Sequence, residues 1–255
     1  MGRSIIVIGD SLGKQVWDSF KGYSHIIYGR DNCNETQVEF WGQELSKECT
    51  GSRANQFQQT RVLCKDPEKV RPDSQIIMIP HGKPLHHGGC NQEKMHSMTS
   101  TFDRIEKYGE LEKYGDKVSI ILTPGAHFSF ANPIYYYYRL LELREKIREF
   151  KLKYPRVQVL FKGISWIPGN FVAANAAISS WNSLVLERVQ EVIFGDEEVA
   201  MFLPLFDKTS FVFDYFGNSH AGIHPGQGGG NPYMMWEIMR LIVDKLKGEC
   251  DRCEL

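Results

Sequence analysis

Short runs of apolar, mostly β-branched residues alternate along the chain with longer stretches in which apolar residues recur every three or four positions. The short runs predict strands that are buried on both faces, as in a parallel sheet. There are five such runs, at residues 4–8, 75–79, 118–122, 157–161 and 199–205. Pro204 ends or bends the last of them. Strands that alternate with helical stretches are typical of an α/β domain.

The clearest helical stretch covers residues 133–153. Asn132 and Pro133 provide a suitable N-cap and first helical position. The apolar residues of this stretch fall on one helix face, at Tyr136, Leu140, Leu143, Ile147 and Phe150. Three further helical stretches are predicted, over residues 14–20, 173–194 and 232–247.

The chain contains no internal repeat and no Pro- or Ser-rich linker. We therefore expect one α/β domain over residues 1–255, with a mostly parallel central sheet. Residues 29–74 are polar and lack a regular pattern, so we expect them to form an irregular insertion that cysteines tether to the domain.

Composition excludes several classes of function. Apolar residues make up 42% of the chain and charged residues 24%, which is ordinary for a globular protein. The 30 basic and 31 acidic side chains nearly cancel, so no strongly basic surface for nucleic acid is expected. No apolar run reaches the roughly 18 residues that a membrane span needs. No signal-peptide pattern follows Met1.

Cysteines and one tripeptide favour an oxidising, secretory compartment. The six cysteines are even in number, at positions Cys33, Cys49, Cys64, Cys90, Cys250 and Cys253. Asn34-Glu35-Thr36 is an acceptor pattern for N-glycosylation. The pairing of the cysteines is left open. The terminal Cys-x-x-Cys fits a disulfide or two free thiols better than zinc, because no second pair with matching spacing is present.

The turn after the first predicted strand gives the first indication of chemistry. It reads Gly9-Asp10-Ser11-Leu12-Gly13 and leads into a helix. In an open α/β sheet, ligands bind at the carboxyl ends of the strands, where Ser11 would lie beside the first N–H groups of that helix. Ser11 is therefore a candidate nucleophile. The alternative is that Asp10 or Ser11 only caps the helix.

A histidine near the other end of the sequence is a candidate base for this serine. His224 lies in a Gly-rich loop before the last predicted helix, and a loop histidine fits a general base better than a core residue. Two more loops that follow predicted strands carry glycine and histidine, namely His81-Gly82 and Gly125-Ala126-His127. A parallel sheet would bring all these loops to one edge.

A zinc site is a weaker alternative, and no cofactor is predicted. Three histidines and a cysteine crowd one short stretch, at His81, His86, His87 and Cys90. Their spacing matches no common zinc site, so a polar loop is the better interpretation.

Several segments resemble a known family. Residues 7–12, Val-Ile-Gly-Asp-Ser-Leu, resemble the opening motif of the SGNH/GDSL hydrolase superfamily. Four further features are similar to the C-terminal PC-esterase domain of the neurexophilin and PC-esterase (NXPE) family. They are His81-Gly82-x-Pro84, the Gly-Ala-His-Phe-Ser-Phe stretch within residues 120–130, the helix over residues 133–150, and His224-Pro225 before a terminal helix. The resemblance extends over nearly the whole chain.

This resemblance implies a three-layer α/β/α fold and acyl-ester chemistry on glycans in the secretory pathway. It implies Ser11 as the nucleophile, with its N–H in the oxyanion hole, and His224 as the base. Further oxyanion or substrate contacts are implied for Gly82, Gly125, His127 and His81. The implied partners are a glycan or small acyl ester and, for a transferase, an acyl donor such as acetyl-CoA.

The chain departs from the superfamily at the catalytic acid. That acid normally stands three residues before the histidine, where this chain has Ala221. Asp214 is the first candidate to replace it and Asp207 the second. The sequence does not separate a hydrolase from a transferase. The alternative to both is a glycan-binding or interaction module that keeps the fold but has lost its acid.

Overall fold

The computed structural model describes residues 4–9, 11–38, 59–69, 73–80, 98–107, 111, 117–123, 133–164, 173–207 and 232–250. Within them lie seven strands: β1 Ser4–Gly9, β2 Cys33–Val38, β3 Gln59–Cys64, β4 Ser74–Pro80, β5 Val118–Thr123, β6 Gln158–Lys162 and β7 Met201–Leu203. The α-helices in the same part of the chain are α1 Ser11–Tyr28, α2 Met98–Lys107, α3 Pro133–Lys153, α4 Ala173–Phe194 and α5 Pro232–Cys250. A short 3-10 helix covers Arg30–Asn32.

The seven strands form one sheet with the order β2-β3-β4-β1-β5-β6-β7. Strands β4, β1, β5, β6 and β7 are parallel, whereas β2 and β3 add to β4 as antiparallel strands. The prediction of a mostly parallel sheet is confirmed. The parallel part has β1 in its second position, which is the strand order of flavodoxin-like, doubly wound folds.

Side chains of β1 show how the sheet separates two hydrophobic cores. Successive side chains of a strand point to opposite faces. Ile6 and Ile8 therefore pack in the core beneath α2, α3 and α4. Ile5 and Val7 pack in the core beneath α1 and α5. The result is the expected three-layer α/β/α fold, and its central strands are apolar on both faces because both faces are covered.

The predicted elements are found with small differences. All five predicted strands are present, and the last is shortened to Met201–Leu203, next to Pro204. Helices α3 and α4 have the predicted bounds, and the five predicted face residues of α3 are all buried. Helix α1 begins earlier than predicted, at Ser11, and α5 continues to Cys250. Helix α2 was not predicted.

The prediction of an irregular segment at residues 29–74 is wrong, because this segment contributes β2 and β3 to the sheet. Strand β2 is polar and lies at the end of the described sheet, so it lacks the apolar pattern of a buried strand. A disulfide joins Cys33 and Cys64, which lie opposite each other on the two strands, so it links two parts of this segment; a cysteine tether to the rest of the domain stays a prediction. Closing a loop of this length contributes about 3 kcal/mol of stability.

In the part of the chain that the structure describes, no helix has the length and apolar character needed to cross a bilayer.

Candidate functional site

The carboxyl ends of β1 and β5 form the switch point of the sheet. From β1 the chain returns to β4 on one side, and from β4 it crosses to β5 on the other side. Connections that leave two adjacent strands in opposite directions open a crevice at their carboxyl ends, and ligands of doubly wound sheets bind there. Helix α1 begins at this crevice, since Ser11 follows Gly9 by two residues.

Three strand ends lie side by side at this crevice. Gly9, the last residue of β1, is in register with Pro80 of β4 and with Thr123 of β5. Ser11 and the segments that contain His81-Gly82 and Gly125-Ala126-His127 follow these three strand ends in the sequence, whereas Asp214 and His224 lie between β7 and α5. The structure thus places the backbone of Ser11 between the starts of the two Gly- and His-containing segments.

Most of the predicted site residues lie outside the described residues. These are His81, Gly82, Gly125, His127, Asp214 and His224, together with Ala221. For Ser11, the structure gives the position of the backbone at the first residue of α1. The roles of all these residues, and a contact between Ser11 and His224, stay predictions.

Close packing fixes the end of β1, two residues before Ser11. A Cβ atom on Gly9 would lie 1.8 Å from Oγ1 of Thr123 and 2.9 Å from Cα of Gly13. Thr123 is fully buried, and its Oγ1 donates a hydrogen bond of 3.1 Å to the carbonyl oxygen of Ile8. Only glycine therefore fits at the end of β1, and β5 holds the start of α1 in place.

The start of α1 is suited to negative charge. Its first turn contains no acidic residue. The first N–H groups of a helix have no partner within the helix and carry the positive end of its dipole. A negative charge that develops beside Ser11 would be stabilised by these groups.

A buried glutamate holds the segment that follows β7. Oε1 of Glu187 in α4 accepts hydrogen bonds from the backbone N–H groups of Leu205 at 2.6 Å and Phe206 at 2.8 Å. The same oxygen would lie 2.8 Å from a Cβ atom on Gly163, so the glycine permits this approach. Glu187 thereby fixes the backbone that leads to Asp207.

Asp207, the second candidate acid, lies on the carboxyl side of β7. Its side chain is 75% exposed, and its Oδ2 lies 3.7 Å from Nη2 of Arg188. It is thus at the expected edge of the sheet. Whether it or Asp214 reaches His224 stays a prediction.

Stability should depend on pH through Glu187. Burial raises the pKa of this carboxyl, although hydrogen bonds from the backbone N–H groups of Phe206 and Leu205 oppose the shift. The ordinary pKa of a glutamate carboxyl is 4.5, and as pH rises above it Glu187 loses its proton in the unfolded chain before it does so in the folded protein. The free energy of unfolding therefore falls with rising pH until the raised pKa of Glu187 in the folded protein is passed. Glu187→Gln keeps an acceptor oxygen without the charge. We expect its melting temperature, relative to wild type, to rise with pH across this range.

Glu187→Ala provides the control for the hydrogen bonds. It removes the acceptor for two buried N–H groups and should cost about 2–4 kcal/mol at acidic pH, and this cost should decrease as wild type loses stability with rising pH. Thermal melts of the three proteins between acidic and neutral pH measure both effects. If Glu187→Gln had the same pH profile as wild type, the buried carboxyl would not be the cause.

The polar residues that are buried beneath α3 and α4 were not identified from the sequence. Gln190 donates to the Tyr136 hydroxyl at 2.6 Å and accepts from the N–H of Ile164 at 3.3 Å, which supports the chain after β6. Lys162, the last residue of β6, is only 2% exposed. The available signal was a polar residue at a position that helical periodicity assigns to the core, such as Gln190, which lies four residues after Leu186 and three before Ile193 on α4.

Helix α5 runs in the same direction as α1. The carbonyl oxygen of Leu246, near the end of α5, accepts from Nε2 of Gln158, the first residue of β6. The end of α5 therefore lies at the amino edge of the sheet, and its start lies toward the carboxyl edge. Asp207 and Pro232, which border the segment that contains His224, both lie toward that edge.

A groove of about 720 Å³ separates α1 from α5 on the outer surface. Its walls are mainly apolar and include Met235, Trp236 and Met239 on the early turns of α5. The side chain of Trp236 is 66% exposed, so its ring is accessible. The groove therefore lies in the helical layer that contains α1, and its Trp236 end is toward the carboxyl edge of the sheet, as is Ser11.

The described residues contain no group of three or more His, Cys, Asp or Glu side chains that could hold a metal ion. The histidines and the cysteine of the zinc alternative, His81, His86, His87 and Cys90, lie outside them.

Solved structures with a similar backbone fold include several ester hydrolases. A lipase/acylhydrolase from Enterococcus faecalis is 12% identical with a TM-score of 0.49, over 97% of this chain and 96% of that one. A GDSL-like lipase from Parabacteroides merdae is 13% identical with a TM-score of 0.46, over 94% and 96%. The acetylxylan esterase Axe2 from Geobacillus stearothermophilus is 12% identical with a TM-score of 0.42, over 96% and 94%.

Sequence comparison identifies the family. A search of curated proteins gave no match. The family model described as "NXPE family member 4-like, C-terminal domain" matches residues 36–228. This range is more than half of the chain and includes His81, His127 and His224, whereas Ser11 precedes it. The resemblance seen in the sequence is confirmed, and the chain belongs to the family of NXPE family member 4-like C-terminal domains.

Proposed function

We propose that this protein is a serine-dependent O-acyl hydrolase or transferase that acts on carbohydrate esters, most simply acetyl esters. The observation that carries the proposal is the position of Ser11 at the start of α1, on the carboxyl side of the central strand and at the switch point of the sheet. Close packing between Gly9 and Thr123 fixes the end of β1, two residues before Ser11, and a nucleophile requires such a fixed position.

In this proposal, Oγ of Ser11 attacks the ester carbonyl carbon while His224 takes the hydroxyl proton. The N–H of Ser11 and donors from Gly82, Gly125, His127 or His81 stabilise the oxyanion. The carbon–oxygen bond to the leaving alcohol then breaks, and His224 returns the proton to that alcohol. The acyl group remains on Ser11 until an oxygen nucleophile accepts it.

The second nucleophile decides between hydrolysis and transfer. Water releases the free acid, whereas a sugar hydroxyl gives a new ester. A transferase would take its acyl group from a donor such as acetyl-CoA. The Cys33–Cys64 disulfide and the NXPE family both support a protein of the secretory pathway or cell exterior.

A glycan-binding module is the second candidate. It is favoured by Ala221, which stands where the superfamily has its catalytic acid. Turnover separates the two candidates, because a binding module would retain a glycan without releasing acetate.

The test is acetate release from acetylated xylo-oligosaccharides and from 4-nitrophenyl acetate, each with and without an acceptor sugar. Acetate release supports a hydrolase, and acetyl transfer to the acceptor supports a transferase. If folded protein gave neither product, even when acetyl-CoA was added, the proposal that it is an enzyme would be contradicted.

Trp236 gives a prediction about the sugar part of the substrate. An exposed indole near the start of α5 is suited to packing against a sugar ring. Trp236→Ala should raise KM for an acetylated oligosaccharide about tenfold, which corresponds to roughly 1.4 kcal/mol. It should leave kcat/KM for 4-nitrophenyl acetate unchanged, because that substrate has no sugar.

Tyr138→Ala is the matched control. Tyr138 is also an exposed aromatic residue, at 59%, but it lies on α3 in the opposite layer. Its replacement should leave KM and kcat/KM unchanged for both substrates. Equal losses on both substrates for Trp236→Ala would indicate a general structural effect and would contradict sugar binding by this residue.

A further inference from the structure

The strand β2 carries an exposed Asn-X-Thr tripeptide. Asn34 and Thr36 are both exposed. Between them, Glu35 forms an ion pair with Lys21 of α1, and Cys33 packs against the core beneath α1. Because side chains alternate along a strand, Asn34 and Thr36 project from the other face of the sheet, away from α1.

The position of β2 leaves space for a large group. β2 is the terminal strand of the described sheet and pairs with β3 along one side. Because Asn34 is exposed, a bulky substituent on its side chain would extend into solvent. It would leave intact the Lys21–Glu35 ion pair and the contact of Cys33 with the core, since both lie on the other face.

The disulfide beside this tripeptide is an independent observation. Cys33 directly precedes Asn34 and is bonded to Cys64 on β3. Disulfides of this kind form in oxidising compartments, which also contain the machinery for N-glycosylation. Acceptor asparagine, hydroxyl residue and disulfide thus occur within four consecutive residues of one exposed strand.

We propose that Asn34 carries an N-linked oligosaccharide. Nδ2 of Asn34 forms a bond to the anomeric carbon of an oligosaccharide that is carried on a polyprenyl pyrophosphate. The bond between that carbon and the pyrophosphate oxygen breaks, the polyprenyl pyrophosphate leaves, and the amide loses one proton. The attached glycan adds a bulky, hydrated group beside the terminal strand of the described sheet, which would hinder pairing of that strand with another chain.

The test is made simple by the sequence, since Asn34-Glu35-Thr36 is the only Asn-X-Ser/Thr tripeptide in the 255 residues. The full chain is expressed in a eukaryotic cell behind a cleavable secretion signal. Secreted and cell-retained protein are both treated with a peptide N-glycosidase, followed by gel mobility and intact mass. We expect a loss of mass on treatment, and peptide mapping should find Asn34 converted to Asp.

Four variants separate modification from folding. Thr36→Ala and Asn34→Gln should both lack the glycosidase-sensitive mass, whereas Thr36→Ser should retain it. Asn32→Gln is a control at a nearby exposed asparagine and should keep the glycan. Secreted wild-type protein with the Cys33–Cys64 bond intact but with unmodified mass would overturn the proposal. So would a glycosidase-sensitive mass that persists in Asn34→Gln.

Discussion

Ser11→Ala should reduce ester turnover by about 10⁴-fold or more, because the proposed acyl-enzyme cannot form without the hydroxyl. Thermal stability should stay within about 1 kcal/mol of wild type, since alanine is well tolerated at the start of a helix. Initial rates on 4-nitrophenyl acetate, together with melting temperatures, measure both quantities.

Ser19→Ala is the matched control for this experiment. Ser19 lies on the same helix two turns later, and its Oγ donates to the carbonyl oxygen of Gln15 at 2.8 Å. Its replacement should leave turnover unchanged. If Ser11 only caps α1, Ser11→Ala would lower stability by about 1 kcal/mol and keep full activity. That combination would contradict a catalytic role.

Gly9→Ala should be the most destabilising substitution at the site, with a loss of about 4 kcal/mol. The new Cβ atom would overlap Oγ1 of Thr123 at 1.8 Å and approach Cα of Gly13 at 2.9 Å, so the backbone or Thr123 must move. Movement of Thr123 would also break its buried hydrogen bond to Ile8. Chemical denaturation of the variant measures the loss.

Gly22→Ala tests the same change where space is available. Gly22 lies within α1, and no atom lies within 4 Å of the Cβ position. Alanine should therefore stabilise the protein by about 0.5–1 kcal/mol through its higher helix propensity. If Gly9→Ala were as stable as Gly22→Ala, the close packing of Gly9 against Thr123 of β5 would be contradicted. Gly9→Ala protein that remains folded should also lose about 10²-fold in turnover, because Ser11 would be displaced.

The buried elements of this fold were predictable from the sequence because their physical signals are strong. A strand covered on both faces is apolar at successive positions, as in residues 5–8 of β1 and residues 120–122 of β5. Helix α3 shows a regular apolar face and a proline at its first position, so its bounds were predicted correctly.

The elements that were missed have weaker signals. Strand β2 has a polar sequence and is the terminal strand of the described sheet, a position at which side chains need not be apolar. Helix α2 has ten residues, too few to show many repeats of an apolar face. Its buried aromatic residue, Phe102, contacts Phe150 of α3, a partner that lies far away in the sequence.

Of the predicted nucleophile, base and oxyanion donors, the structure describes only the backbone of Ser11, and the contacts among them stay predictions. The position of Ser11 follows from local sequence, since a glycine-containing turn after a buried strand places the next residues at a fixed edge. The register of Gly9 with Thr123, and the hydrogen bonds from Leu205 and Phe206 to Glu187, join residues that are far apart along the chain. Sequence periodicity contains no information on such pairs, so only a structure reveals them.

Covalent labelling tests the central claim, an activated Ser11, most directly. A fluorophosphonate forms a phosphorus–oxygen bond with an activated serine and releases fluoride. Wild-type protein and Ser11→Ala are treated with this probe, and their intact masses are measured, followed by peptide mapping. The account predicts a single adduct on wild type, located on Ser11, and none on the variant. Folded wild-type protein without an adduct, or an adduct that persists in Ser11→Ala, would contradict it.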